Sequence, residues 1–324
     1  HGEVLQNNNF YNENYGSAKA MAKYISDGKN HIYEPKFTFF GFRYVLVQGI
    51  NKTNLIPEDF EGVVLYTNLE KTIKYDSYDI INKLMSNTLR SQKGNFLDVP
   101  TDCPQRAERL GWTGDAQVFT NTACFNMDSY IFYKKFMKDL RIDQVHYYKG
   151  DIPSFSPSLK QQSMPGGAVW ADAGTIIPWN IYYNYGDINL LKENYPLMKD
   201  YVNTLIDTDN KQGRKYLILN GFTFGDWLAL DGIEDNFGGT DNGFIMSVYY
   251  YHSVELLSKV SQILNKHWDF IKYTRIKNKI YESIINEFFE ENGKLKLDTQ
   301  TSYVLCLFYN IYKDKKIIIN SFKE

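Results

Sequence analysis

The pattern of the chain changes near residue 75, and that change limits the folds open to it. Lys36–Phe40 and Phe42–Val47 are rich in aromatic and β-branched residues and are separated by Gly41. Gly62–Thr67 has the same character. Such runs read as strands, so residues 1–74 are expected to form sheet, in a sandwich-like domain. From residue 75 the apolar spacing becomes helical. Ile80, Ile81, Leu84 and Leu89 mark a helix over Asp79–Leu89. Phe119, Ala123, Met127, Ile131 and Phe136 follow one stripe over Phe119–Met137. Leu191, Tyr195, Met198, Val202 and Leu205 do so over Ile188–Ile206. Phe244–Leu264, Phe270–Phe289 and Thr301–Tyr312 continue the pattern, giving about seven helices in all. Long loops over 142–171 and 210–242 interrupt them, and loops of that length are uncommon unless they have a function.

Composition narrows the function classes. With 36 basic and 38 acidic residues, the charge balance argues against nucleic acid as the main partner and against a polybasic membrane surface. No apolar run approaches the roughly 20 residues of a membrane span. Cys103, Cys124 and Cys306 are scattered, so neither a metal spacing nor a disulfide framework is visible. No Gly-rich phosphate loop follows a strand, and Gly238-Gly239 stands alone. No cofactor and no metal are expected. The chain starts at His1, with no initiator Met and no secretory signal. The compartment therefore stays open, a cytoplasmic one being favoured over a secreted one, and the oligomeric state is not specified.

One stretch concentrates chemistry. Asp102-Cys-Pro-Gln-Arg-Ala-Glu-Arg-Leu-Gly-Trp-Thr-Gly-Asp115 holds three carboxylates, two arginines and a tryptophan. Pro104, Gly111 and Gly114 keep it from being a regular helix throughout. A loop can aim unlike groups at one place. Carboxylates, guanidinium groups and a flat ring together suit a sugar: they supply proton transfer, hydroxyl recognition and stacking. Two further loop motifs carry tryptophan beside an acid, Gly166-Gly-Ala-Val-Trp-Ala-Asp-Ala-Gly174 and Gly225-Asp-Trp227.

These three motifs, in this order, resemble the catalytic-domain signature of bacterial α-L-rhamnosidases of glycoside hydrolase family 78. His1–Leu5, Asn9–Asn14 and Tyr33–Tyr44 resemble the end of the β-sandwich that precedes that family's helical barrel. The resemblance covers nearly the whole chain. It implies a mainly α fold: part of a concanavalin-like antiparallel β-sandwich over residues 1–74, then the first part of an (α/α)6 catalytic barrel over 75–324. It implies an inverting hydrolase that releases terminal α-L-rhamnose from glycosides or polysaccharides. The family's general-base glutamate is expected beyond Glu324, and so the chain alone is expected to be poorly active. Another (α/α)6 glycosidase, or a carbohydrate-binding homologue without turnover, is the alternative.

The resemblance gives the residues their roles. Glu108 is the general acid, and the departure of this chain at Ala107, where the family often has an acidic residue, is mild. An acid must hold its proton near neutral pH; Arg106 and Arg109 oppose that if they touch it. Asp102, Asp115 or the Trp112 ring must then outweigh them, or the arginines must point elsewhere. The bland alternative is an Arg106–Glu108 ion pair within the loop. Asp102 and Asp115 are read as acceptors for rhamnose hydroxyls, with Arg106 as a donor. Otherwise Asp102 caps a turn at Pro104 and Asp115 caps the following helix. Rhamnose is a 6-deoxy sugar, and Trp112, Trp170 and Trp227 could build an apolar wall for its methyl group. Asp172 and Asp226 are further candidates; for Asp172, capping of the next helix is an equal reading. His252 is assigned to core and Cys103 to structure. Glu108, Asp102, Trp112, Trp170 and Trp227 are expected to line one cavity.

Overall fold

The structure, a computed structural model, describes residues 1–158, 164–232 and 237–323. It divides into two compact units, 1–111 and 112–324.

The first unit holds little regular structure. Strands β1 (Val4–Gln6) and β2 (Asn9–Tyr11) form an antiparallel hairpin with Val4 opposite Tyr11. Its two-residue turn needs positive φ at both positions, and Asn7 (51°) and Asn8 (61°) supply it, as asparagine does best after glycine. The buried Tyr15 donates its hydroxyl to Gly41 O (2.8 Å). Helix α1 spans Asp79–Asn95 and runs into a small hairpin, β3 (Phe96–Leu97) against β4 (Val99–Pro100).

The sequence expectation fails in detail here. Lys36–Phe40, Phe42–Val47 and Gly62–Thr67 are not strands; Tyr44 makes only an isolated bridge with Gly2. β-propensity measures fit to a pleated, half-buried surface. These segments have no such surface to lie on: Val63, Val64 and Leu65 stay 62%, 73% and 49% exposed. Without a ladder partner a suitable composition does not become sheet.

The second unit is helical. Helix α2 (Thr113–Asn126) and α3 (Tyr130–His146) replace the single helix expected over Phe119–Met137. The stripe does not carry through the break, since Ile131 is 70% exposed; Asp128 and Ser129 end one helix and start the next. Ser129 Oγ lies 3.1 Å from both Ala123 O and Met127 O, and Tyr130 N donates to Asp128 Oδ1 (3.3 Å). A short α4 (Gly167–Trp170) precedes α5 (Ala173–Tyr185). Helix α6 (Ile188–Lys211) opens on Asp187, whose side chain accepts from Asn189 N (2.8 Å). Helix α7 (Asn242–Ile263) opens on Asp241, which accepts from Phe244 N (2.7 Å). Helices α8 (His267–Phe288), α9 (Gln300–Tyr309) and α10 (Lys315–Lys323) complete ten helices among the described residues. The excess over the expected number comes from the α2–α3 break, the short α4 and α10.

The core of this unit lies around α7. Phe244, Val248, Val254 and Leu257 of α7 pack with Leu191, Met198 and Val202 of α6 and with Tyr273, Ile280 and Ile284 of α8. Helix α7 is apolar nearly all round because it is covered nearly all round. No described helix is long and apolar enough to cross a membrane.

Candidate functional site

In the first unit, the loop 102–110 is closed by its own ends. Leu110 N donates to Asp102 Oδ1 (3.1 Å), and Asp102 N donates to Leu110 O (3.2 Å). Asp102 is thus committed in part to the backbone, through Leu110. Burial is the largest influence on its carboxyl and raises it above the ordinary 3.8; bonds from the Cys103 thiol and Leu110 oppose this. Arg106 Nε stands 3.2 Å from Glu108 Oε1, both side chains 48% exposed. The ion pair foreseen as the bland alternative is therefore present. Arg109 points elsewhere: Nη1 donates to Phe39 O (3.1 Å), and the guanidinium lies 5.2 Å from the centre of the Phe39 ring. Gln105 donates to Glu3 (3.3 Å). The loop is tied to the N-terminal segment of its own unit by these two side chains.

Asp102, Cys103 and Glu108 bring their ligand-type atoms within 4.8 Å of one another. Such a trio could hold a metal ion. Burial and the neighbouring Asp102 push the Cys103 thiol up to about 12, so it keeps its proton and is a poor ligand as it stands.

In the second unit, Trp112 takes the N-cap position of α2 and Asp115 lies exposed in its first turn. Asp115 therefore does not cap this helix; its charge sits at the positive end of the helix dipole instead. The start of α2 is pinned by Thr113, whose N–H donates to Ser154 O (2.9 Å) and whose hydroxyl reaches Pro153 O (3.0 Å). Trp112 packs edge-on against the buried Phe155 at 5.4 Å.

The turn that carries Trp170 is braced on two sides. Gln117 of α2 donates to Val169 O (3.1 Å), and Thr223 Oγ1 donates to Ala168 O. Thr223 Oγ1 also accepts from Gly225 N (2.9 Å). The Trp170 ring lies flat over Gly114: a Cβ there would meet its Cε2 at 2.4 Å. Glycine in the first turn of α2 is thus required by close approach, not by backbone freedom.

All three tryptophans of the sequence motifs meet one residue. Phe224 lies 4.5 Å from Trp170, 5.8 Å from Trp227 and 6.1 Å from Trp112, ring centre to ring centre. Phe222 lies 5.1 Å from it, and Phe237 backs Trp227 at 5.5 Å. Trp112, Trp170 and Phe224 are half-buried, while Trp227 is 40% and Phe222 49% exposed. A partly open aromatic surface of this kind suits an apolar sugar face. Sequence reading missed Phe224 and Thr223, and it named Gly114 only as a helix breaker, whereas Gly114 lies within the first turn of α2. Phe224 immediately precedes Gly225-Asp-Trp227, but nothing in a lone loop phenylalanine marks it as a hub. A glycine at the start of a helix was the one available signal for Gly114.

The two remaining candidate acids are structural in their contacts. Asp226 accepts from Thr240 Oγ1 (3.0 Å), and its carbonyl takes Gly238 N (2.8 Å), so it shapes the loop that presents Trp227. Thr240 in turn meets Thr299, the cap of α9 (2.7 Å). Asp172 has no exposed surface. It stands at the N-cap position of α5 but makes no side-chain cap; Ser253 Oγ of α7 donates to it instead (2.5 Å). Burial pushes its carboxyl up to about 7, against the Ser253 and Tyr201 hydroxyls, which pull it down. His252 is mostly buried, and its ring lies tilted against that of Tyr309, 4.4 Å from centre to centre.

Comparison with known proteins bears on both units. Residues 75–320 match the family model for the bacterial alpha-L-rhamnosidase 6 hairpin glycosidase domain, and residues 1–66 match that for the bacterial alpha-L-rhamnosidase concanavalin-like domain. An α-L-rhamnosidase of Formosa agariphila is 37% identical over 312 residues, covering 94% of this chain and 33% of that protein. One from Streptomyces avermitilis is 35% identical, covering 97% of this chain and 29% of that protein. Among solved structures, the Streptomyces avermitilis α-L-rhamnosidase complexed with L-rhamnose matches with a TM-score of 0.85 at 34% identity, over 100% of this chain and 30% of that one. The native Aspergillus terreus enzyme matches at 0.87 and 30%, over 100% of this chain and 38% of that one. The chain thus spans about a third of the length of the relatives it matches.

Proposed function

Since this chain belongs to the bacterial α-L-rhamnosidase family, we propose that it serves a glycoside hydrolase that releases terminal α-L-rhamnose from glycosides or polysaccharides. Glu108 is the general acid, protonating the leaving oxygen. Asp102, Arg106 and Asp115 bind sugar hydroxyls. Trp112, Trp170 and Trp227 supply the apolar wall for the C6 methyl group. Asp226 holds the Trp227 loop, and Asp172 is left out of substrate contact because it is fully buried. The pathway is inverting, which calls for a second carboxylate about 6.5–9.5 Å from the acid to activate water. That role is assigned to no residue of this chain.

One observation carries the reading. Trp112, four positions after Glu108 in the same motif, shares a single aromatic cluster with Trp170 and Trp227 of the other two motifs. Three separated segments bringing the same ring type to one place is what a stacking wall requires and what a merely structural tryptophan does not.

The test is hydrolysis of p-nitrophenyl α-L-rhamnoside by the whole protein, with the anomer first released followed by proton NMR. Initial release of β-L-rhamnose is expected. Initial release of the α-anomer would exclude inversion, and failure to turn over any α-L-rhamnoside while binding L-rhamnose would favour the non-hydrolytic alternative.

A further inference from the structure

The three tryptophans differ in how they are carried. Trp112 begins α2, Trp170 ends α4, and Trp227 sits in the loop before α7. Gln117 and Thr223 brace the backbones of these segments, and Phe224 is the ring that touches all three tryptophans. It meets Trp112 and Trp227 nearly at right angles, at 81° and 79°, and Trp170 at 39°. Edge-to-face contacts at these distances are favourable and directional. A ring that makes two of them, with a tilted contact to a third ring, touches three neighbours at once.

Phe224 is itself held on both sides. Thr223 donates to Ala168 O and accepts from Gly225 N (2.9 Å), so the residue before Phe224 is locked to the turn that bears Trp170. Gly225 has φ +57°, and a Cβ on it would meet Asn242 Oδ1 of α7 at 2.4 Å. The positive φ favours glycine at this position, and the Asn242 side chain of α7 lies directly against the backbone that follows Phe224. Its ring remains half-buried, part of it open beside the exposed Phe222.

We propose that Phe224 determines sugar specificity, by holding Trp112, Trp170 and Trp227 at the one spacing that accepts a methyl group and rejects a hydroxymethyl group at C6. The inference rests on the rhamnoside reading above. A wall of rings discriminates at C6 only if its members stay put, because mobile rings would open to admit the extra oxygen. Phe224 is a positioning residue in this scheme, acting through the tryptophans.

The experiment compares kcat/KM for p-nitrophenyl α-L-rhamnoside with that for p-nitrophenyl α-L-mannoside, the same sugar with a hydroxyl at C6. It uses the whole protein with Phe224→Leu and Phe224→Ala; the leucine variant keeps apolar bulk in case the alanine variant does not fold. One group in an apolar pocket is worth on the order of 10–200-fold in discrimination. The wild-type preference for the rhamnoside is expected to fall by about 10-fold or more in a folded variant, with KM rising more than kcat falls. The change in tryptophan fluorescence on adding L-rhamnose is expected to shrink in parallel. Loss of both activities by one factor, with the preference intact, would mean that Phe224 only supports the fold and would overturn the proposal. A wild-type protein that turns over the mannoside as well as the rhamnoside would overturn it too. A wild-type protein that hydrolyses neither sugar removes the rhamnoside reading itself, and this inference with it.

Discussion

The loop 102–110 and the aromatic cluster around Phe224 are built by different means. The loop is closed by a pair of bonds between Asp102 and Leu110 and tied down by Arg109 and Gln105. Its Arg106–Glu108 pair is half-exposed, where an ion pair contributes little to stability. The cluster is fixed by interlocking rings, by a threonine that serves two backbone groups, and by a glycine that lets an indole lie against a helix. Groups that recognise shape gain from being immobile. The contrast predicts that chemistry and recognition can be damaged separately.

The sharpest separation comes from Glu108→Gln in the whole protein. Removing a general acid typically lowers the rate by about 10²–10⁴-fold. The loss should be greatest for natural glycosides and smaller for aryl rhamnosides, whose leaving groups need less protonation. Binding of L-rhamnose, read by tryptophan fluorescence, should hardly change. Equal losses for good and poor leaving groups would move the acid role off Glu108.

A second test concerns the interior of the helical unit. The Asp172 carboxyl stands near 7 when folded, against an ordinary 3.8, so folding takes up a proton between those limits. Stability from this group is present at low pH and is lost as pH rises from about 4 to about 7. Asp172→Asn removes the proton uptake while keeping an acceptor for Ser253. Its melting temperature relative to wild type should therefore rise between pH 4.5 and pH 8, by an amount equivalent to at most a few kcal/mol. A difference that is flat with pH would show that Asp172 is not buried as an unpaired acid.

Gly114→Ala strikes recognition alone. The new methyl group would stand 2.4 Å from the Trp170 ring, and overpacking of this kind typically costs about 1–3 kcal/mol. The KM for aryl rhamnosides should rise several-fold while the dependence on leaving group stays that of wild type. An unchanged KM would mean that the seat of Trp170 is irrelevant to binding.

Arg109→Ala should have the smallest effect. It removes one hydrogen bond to Phe39 O and the contact with that ring, worth together about 1–2 kcal/mol. Protease sensitivity near residues 102–110 should increase while L-rhamnose binding persists. Loss of binding before any loosening of this loop would show that the two regions are not separable in the way proposed.

Much of the helical unit was legible in the sequence. Helices α6, α7 and α8 follow runs whose apolar spacing is that of a buried face, and the structure buries those same residues. The stripe from Phe119 to Phe136 misled, because a break in the backbone resets the register of the faces: Met127 is buried before it and Ile131 is 70% exposed after it. Asp128 and Ser129 held the missing information as capping residues. The segments before residue 75 misled for another reason: strand composition is a preference that only a partner strand turns into structure. The meeting of the three tryptophans in one cluster could be anticipated because each sits in a motif with an acid and a glycine. Phe224 could not, since its importance lies in what surrounds it in space. Asp115 as a cap was displaced because Trp112 already occupies the position where α2 begins.

Gly114 also bears on how such a protein could be made sturdier. A routine search for stabilising changes replaces glycine in helices by alanine, at a gain of about 1 kcal/mol each. By that rule Gly114, buried in the first turn of α2, would be an early choice. Its missing side chain is the space in which the Trp170 indole rests. The substitution that a helix scale recommends is here the one to leave out, and a library designed for heat tolerance would do better to vary the exposed surface of α8, where Trp268 is 83% and Ile271 49% exposed.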